Sequence, residues 1–322
     1  MTQTIGIFCG GFSSEFDISI KSATTIARNL PSSYDIYLII VSKSSWYAKQ
    51  HEKRYAINLQ DLTIQKEDLS IKLDIGLVYI HGEPGENGKI QALLDLHGVP
   101  YLNSGVLASS LSFDKWYCNQ FLKSFGFNVA ESIHLLKDDS FDKHEIIQKL
   151  GLPLFVKPCD SGSSYGISKV NKLEELTPSI DKAFEEGSTL VIESFLKGIE
   201  VTCGVYRNKK GLQALPLTEI VSENDFFDFD AKYNGKSQEI TPARITEDSR
   251  EKVQAIAIKI YALLQLRSIA RIDFMLVGDN PYVIEVNTTP GFSDASIVPK
   301  MLDAAGISIA HFWKEIIERE LQ

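Results

Sequence analysis

The chain has 322 residues, enough for two or three domains with substantial cores. Its 44% apolar and 23% charged residues are those of an ordinary soluble globular protein, and no apolar run approaches the roughly 20 residues of a membrane span. A net charge of -9 argues against a nucleic-acid backbone as the main partner, while leaving room for a nucleotide held by a few local lysines.

The polar start MTQT has neither the basic flank nor the apolar core of a signal peptide. Cys9, Cys118, Cys159 and Cys203 are scattered, with no CxxC pair and no zinc spacing. Reduced, mostly buried thiols in a cytoplasmic protein are therefore expected.

The first third alternates strand and helix. An apolar strand over 4–9 runs into Gly10-Gly11-Phe12-Ser13-Ser14-Glu15, and a helix follows with Ile20, Ala23, Ala27 and Leu30 at helical spacing. A strand covers 34–41, and another over 74–80 ends in His81-Gly82. A helix around 90–96 and a short strand at 100–102 complete the unit. This βαβ rhythm predicts a parallel sheet with ligand groups at its carboxyl ends, and Glu15 and His81 sit just past two of them. Glu15 also has a mundane reading, because acids are favoured at helix starts through the dipole. Gly10-Gly11 lacks the GxGxxG spacing of a dinucleotide fold.

A second unit begins near Asp114. Phe113, Tyr117, Phe121 and Phe125 recur every four residues, which places Lys115 in an amphipathic helix. A strand over 132–136, a helix near 141–150 and a strand over 153–157 follow. The loop from Lys157 to Gly166 holds glycines and serines, including Gly162, Ser163 and Ser164, whose backbone and hydroxyl donors suit an anion. Its lysine precedes the glycines, so it is no P-loop, and an ordinary flexible hairpin loop reads the same way. A strand at 167–170, a helix over 173–184 and a strand over 189–195 carrying Glu193 complete this unit. The third unit has strands over 200–206 and 212–220, a polar and aromatic loop over 222–244, a long helix over 248–266, a hairpin and a C-terminal helix. The mixture predicts an α/β first domain followed by two α+β lobes.

The hairpin, ARIDFMLVGDNPYVIEVNTTPG over 270–291, is the most informative stretch. Strand alternation puts Arg271 and Asp273 on one face and Ile272, Phe274 and Leu276 on the other. With the turn centred on Asp279, Asp273 lies opposite Glu285, and Arg271 opposite Asn287. Facing carboxylates destabilise a hairpin unless something compensates them. A hard divalent cation does so, and magnesium usually arrives with substrate phosphates. Alternation alone is what any half-solvated strand shows, and Lys115, Lys157 and Lys232 would otherwise be solvated surface charge.

Together the segments HGEPGENGKIQALLDLHGVPY (81–101), GVLASSLSFDK (105–115), FVKPCDSGSSYGISKV (155–170), FFDFDAKY (226–233) and RIDFMLV…IEVNTTPGFSDASIVP resemble the D-alanine–D-alanine ligases of the ATP-grasp superfamily. The likeness runs from GGFSSE at Gly10 nearly to the C-terminus, and EITPAR and EVNTTPG look most like the Bacteroidetes variant. It implies a three-lobed ATP-grasp fold: an N-terminal parallel-sheet, substrate-side domain (1–113), a central lobe (114–197) and a C-terminal lobe with the metal-binding hairpin (198–322).

The resemblance also implies roles. Lys115 and Lys157 would contact nucleotide phosphates, with Gly162, Ser163 and Ser164 beside them and Lys232 on the transferred phosphate. Glu193, Phe195 and Leu196 would border the adenine, and Glu200 would take the ribose hydroxyls. Asp273, Glu285 and Asn287 match ligands for two magnesium or manganese ions. Glu15 would hold the first D-alanine's ammonium, with His81 on the substrate side. Ser163, Tyr233 and Ser296 match a hydrogen-bonded group tying the loops together. Arg271 and a backbone N–H near Gly291 would serve the reacting centre, and Ser296 and Ile297 the second D-alanine. Peptidoglycan precursor synthesis, a homodimer and a possible monovalent-cation site belong to the same implication. The rivals are a ligase for D-lactate or D-serine and a catalytically silent, nucleotide-binding regulator. Phe195 stands where some relatives have Trp, Ile297 where several have Leu or Met, and Ser293-Asp294-Ala295 is unusually acidic.

Overall fold

The computed structural model describes residues 2–160, 166–222 and 237–321. Gly162, Ser163, Ser164, Lys232 and Tyr233 lie outside them.

In the first lobe β1 (Gln3–Gly10) leads through α1 (Phe16–Asn29) to β2 (Tyr34–Val41), which pairs with β1 in parallel. Four short antiparallel strands then extend the sheet: β3 (Trp46–Gln50), β4 (Lys53–Asn58), β5 (Thr63–Lys66) and β6 (Leu69–Ile71). On the other side of β1 lie β7 (Ile75–Val78) and, after α2 (Lys89–Leu96), β8 (Tyr101–Leu102). The expected parallel sheet is thus its β2-β1-β7-β8 half, and the other half is an antiparallel meander over a stretch for which no strand was expected. β4 and β6 are short and largely exposed, with only Tyr55, Ile57 and Ile71 packed against the core.

α3 (Val106–Phe113) and α4 (Lys115–Ser124) meet at Asp114, whose carboxylate accepts from Tyr117 N at 2.9 Å and caps α4. The aromatic repeat therefore spans two helices, and it is not the buried face: Tyr117 and Phe125 are exposed, while Cys118, Asn119 and Leu122 point inward. Then come β9 (Ser132–Leu136), α5 (Lys143–Leu150), β10 (Leu154–Pro158), β11 (Ser168–Val170), α6 (Leu173–Phe184) and β12 (Thr189–Ser194). Their strands form an antiparallel sheet ordered β11-β10-β12-β9. β9 and β12, where the chain leaves and rejoins the rest of the molecule, pair directly, and Ser194 N donates to Glu131 O at 2.9 Å.

The last lobe holds β13 (Ile199–Asn208), β14 (Gly211–Ala214), β15 (Thr218–Ser222), β16 (Ser237–Ile240), α7 (Glu247–Leu263), β17 (Ile269–Val277), β18 (Asn280–Asn287), α8 (Ile297–Ala304) and α9 (Ile309–Glu320). The strand expected over 212–220 is two, interrupted at Pro216, which has no N–H for a ladder. The single closing helix is also two. Gly306, at φ 69°, ends α8 in the left-handed conformation, and Ser308 caps α9.

The β17–β18 ladder puts Asp273 opposite Glu285 and Arg271 opposite Asn287, as the alternation predicts. The route differs. The turn is the two residues Gly278-Asp279, which by itself would bring Ile284 opposite Asp273. A bulge between Val283 and Glu285 leaves Ile284 without a partner and restores the register. Val283 and Val286, three residues apart, are both buried as a result.

One core runs through the first and last lobes, joining Ile5, Ile7 and Tyr79 to Met301, Phe312 and Trp313. The central sheet has its own, built on Leu154, Val156, Leu190 and Ile192. Division of the chain near 114 gives α4 to the central lobe, yet Cys118 and Leu122 pack into the core of β17 and β18.

Candidate active site

The hairpin face is polar and tightly paired. Arg271 grips Asp273 with two parallel bonds, Nε to Oδ1 at 2.8 Å and Nη2 to Oδ2 at 2.7 Å, and both side chains are largely buried. Thr202, opposite Asp273 on β13, donates its hydroxyl to Oδ1. Asn287 Nδ2 donates to Asp273 Oδ2 at 3.2 Å and to Glu285 Oε1 at 3.5 Å, so its amide sits between the carboxylates.

A loop from the end of β18 to α8 folds back onto α1. Tyr79 donates its hydroxyl to Pro290 O at 2.8 Å, and Phe292 N donates to Ser22 Oγ at 3.1 Å. His81 Nε2 lies 3.1 Å from the same Ser22 oxygen, and burial holds this imidazole below the usual histidine range despite Glu15 nearby. Glu15 occupies the N-cap position of α1. Ser296 is the residue before α8, and its Oγ accepts from Ser293 N at 3.0 Å. A Cβ at Gly291 would lie 3.1 Å from that oxygen, a tight contact to which Ser296 would have to yield.

Glu86 was not singled out in the sequence, because a glutamate between Gly85 and Gly88 reads as turn chemistry. Its Oε2 accepts from Gly82 N at 2.7 Å. Burial first, then the charges of Glu15 and Glu285, push its carboxyl up to about 7 against the bonds from Gly82 and Thr289.

On the central sheet Lys157 meets Glu193 at 2.6 Å, both nearly buried, and Asn119 Nδ2 reaches Glu193 Oε1 at 3.4 Å. Burial opposes the charge on Lys157, but Glu193, Glu285 and Glu200 outweigh it and its pKa rises. Phe195 stands 6.0 Å from Phe155, centroid to centroid, with the Lys169 ammonium 5.1 Å over its ring. Lys115 starts α4, its N–H bonded to Cys159 O at 2.9 Å.

Two models of one family match the chain in order: D-ala D-ala ligase N-terminus over residues 4–104 and D-ala D-ala ligase C-terminus over residues 121–318. The chain belongs to the D-alanine–D-alanine ligase family. Among its relatives is the D-alanine–D-alanine ligase of Parabacteroides distasonis, 41% identical over the whole chain and 98% of the relative. The ligase of Flavobacterium johnsoniae is 40% identical, with 99% of both chains covered. Of solved structures, the D-alanyl-alanine synthetase A of Vibrio cholerae superposes with a TM-score of 0.89 at 29% identity, covering 100% of this chain and 99% of that one. A D-Ala:D-Ser ligase from Enterococcus faecalis superposes with 0.87 at 28% identity, covering 99% of both. These likenesses establish the ATP-grasp fold expected from the motifs.

Against that family frame, the residues fall into two groups. A cavity of about 440 Å³ is lined by Glu15, His81, Lys115, Arg271, Glu285 and Asn287, together with Gly291, Ser296 and Ile297. Asp273 stands behind Arg271. Lys157, Glu193, Phe195, Leu196 and Glu200 belong to the neighbouring surface of β10, β12 and the start of β13 rather than to the cavity lining. Glu86, Lys21 and Glu239 line the cavity too and were missed. Glu86, five residues past His81, and Glu239, which opens EITPAR, both stood inside segments that carry the family resemblance.

Among the described residues no three His, Cys, Asp or Glu side chains form a metal cluster. The donor set is instead two cross-strand carboxylates and an amide, all oxygen, which suits a hard divalent ion. It fits on two conditions: Asn287 must turn its Oδ1 inward, and Arg271 must share Asp273.

Proposed function

We propose that this protein joins two D-alanines into D-alanyl-D-alanine for peptidoglycan precursors, converting ATP to ADP and phosphate. The observation that carries the reading is the cavity that sets the Arg271–Asp273–Glu285–Asn287 face against Glu15 and His81.

Joining a carboxylate to an amine is uphill, so the carboxylate must be activated. Glu15, on the cavity wall at the start of α1, suits the first ammonium. The carboxylate of that first D-alanine attacks the γ-phosphate, displacing ADP, and becomes an acyl phosphate, which the second amine then attacks. Magnesium or manganese would be held by Asp273, Glu285 and Asn287, and when bound it neutralises and orients phosphate charge. Arg271, fixed in its fork by Asp273, presents its remaining N–H donors to the transferring phosphoryl and the oxyanion that follows. Gly291 supports a backbone donor to the same oxyanion, and Ser296 with Ile297 a seat for the second substrate. Lys115 and Lys157 supply phosphate contacts, joined by Gly162, Ser163, Ser164 and Lys232. Glu193, Phe195, Leu196 and Glu200 hold the base and ribose. Tyr233 and Ser163 complete the loop group with Ser296. A homodimer in the cytoplasm, with a monovalent cation aiding catalysis, completes the proposal.

The test is coupled ADP release against D-alanine, D-serine and D-lactate, with the product weighed by mass spectrometry. Rapid release with D-alanine alone, giving the dipeptide, is the expected result. Glu285→Gln should abolish it; turnover near that of the parent would remove the hairpin from the chemistry.

A further inference from the structure

The second substrate arrives as an ammonium, and an ammonium has no lone pair to attack with. Some group must take one proton before the amide bond forms. The cavity contains several acids and bases, and most are committed elsewhere. Asp273 is held by Arg271 and Thr202. His81 is turned to Ser22, on a face where burial disfavours its charge. Glu15 suits the first ammonium, and Glu285 the divalent ion.

Glu86 lines the same cavity as all of these. It is only partly buried, and its carboxylate is held by Gly82 N and the Thr289 side chain. Gly82 N fixes Oε2, and a carboxylate has about four lone-pair sites, so acceptor capacity remains toward the cavity. The groups acting on it are Glu15 at the start of α1, Tyr79 just past β7, Glu285 from β18 and Thr289 from the loop beyond, while His81 on its own segment, Lys21 from α1 and Arg271 from β17 line the same cavity.

We propose that Glu86 is the proton acceptor for the incoming amine. The reading rests on the ligase function proposed above. One N–H proton of the second D-alanine passes to the Glu86 carboxylate, leaving a neutral amine. Its lone pair forms the C–N bond at the acyl phosphate carbonyl. The C–O bond to phosphate then breaks, its electron pair leaving with the phosphate, which takes a second proton from the nitrogen. Glu86 returns its own proton to solvent when the cavity opens. A carboxyl held near pH 7 by its surroundings is matched to such a transfer.

The experiment compares the full-length parent with Glu86→Gln, which keeps an oxygen for Gly82. Two rates are read across pH 5.5–9: dipeptide formation from D-alanine, and hydroxamate formation when hydroxylamine, neutral at pH 7, replaces the second substrate. Glu86→Gln should lower dipeptide formation by about 10²-fold at pH 7, the usual size of general base catalysis. It should also erase the rising acid limb of the pH profile, while hydroxamate forms within about threefold of the parent rate. Equal dipeptide rates and profiles would overturn the assignment, and so would an equal loss of both products, which marks a positioning or folding role. A parent that makes neither product refutes the ligase reading itself.

Discussion

A carboxyl group that resists ionisation at neutral pH weakens the fold that contains it. Unfolded, Glu86 loses its proton near 4.5; folded, it keeps it up to about 7. Between those values the unfolded chain binds fewer protons than the folded one, so stability falls as pH rises through that window and levels off above it. Glu86→Gln removes the effect, worth at most about 3 kcal/mol. Thermal melts should show the variant gaining on the parent from pH 4.5 to 7 and holding that lead at pH 8. A gap independent of pH would mean that the carboxyl is not held neutral. Arg271 and Asp273 are coupled more tightly. Arg271→Ala strands a buried carboxylate and should cost about 3–5 kcal/mol. Adding Asp273→Ala should recover most of that loss in denaturant titrations, while ADP release stays abolished.

At the level of elements, the opposition of Asp273 and Glu285 was legible because alternation in a strand has a period of two residues. The bulge at Ile284 was not, since nothing in NPYVIEVN marks which residue will be skipped. Asn119 reaches that place through space rather than sequence: its Nδ2 lies 3.4 Å from Ile284 O and 3.4 Å from Glu193 Oε1, and its Oδ1 has no hydrogen-bond partner among the described residues. Asn119→Ala should cost about 1 kcal/mol and raise the KM for ATP more than that for D-alanine, because it touches Glu193 and the hairpin together. Thr246→Ala, which removes the α7 cap at Ser249 N, should cost a similar ~1 kcal/mol and leave both KM values alone. Parallel changes in the two variants would reduce Asn119 to simple packing. The aromatic repeat on α3 and α4 misled for a related reason. Its four-residue period is real, but the face that meets the hairpin carries Cys118, Asn119 and Leu122.

Over the whole molecule, chain order and spatial order part company. The alternation of β and α segments was readable from sequence, while the sharing of one core by the first and last sheets was not, because those contacts join residues some 300 positions apart. The central sheet, with its separate core, should open on its own. Amide exchange in β10 and β12 should report a lower free energy of opening than in β1, β13 and β17, and equal protection throughout would argue for one cooperative unit. The pairing of β9 with β12 carries this further. Ser132 and Glu193 face each other across that ladder, so the two chain ends left by removing 133–192 stand about 5 Å apart, the reach of a tight turn. The central lobe is therefore an insertion on a two-stranded neck. The remaining body would heal over its loss as it would over a shortened loop, folded and without Lys157 and its strand.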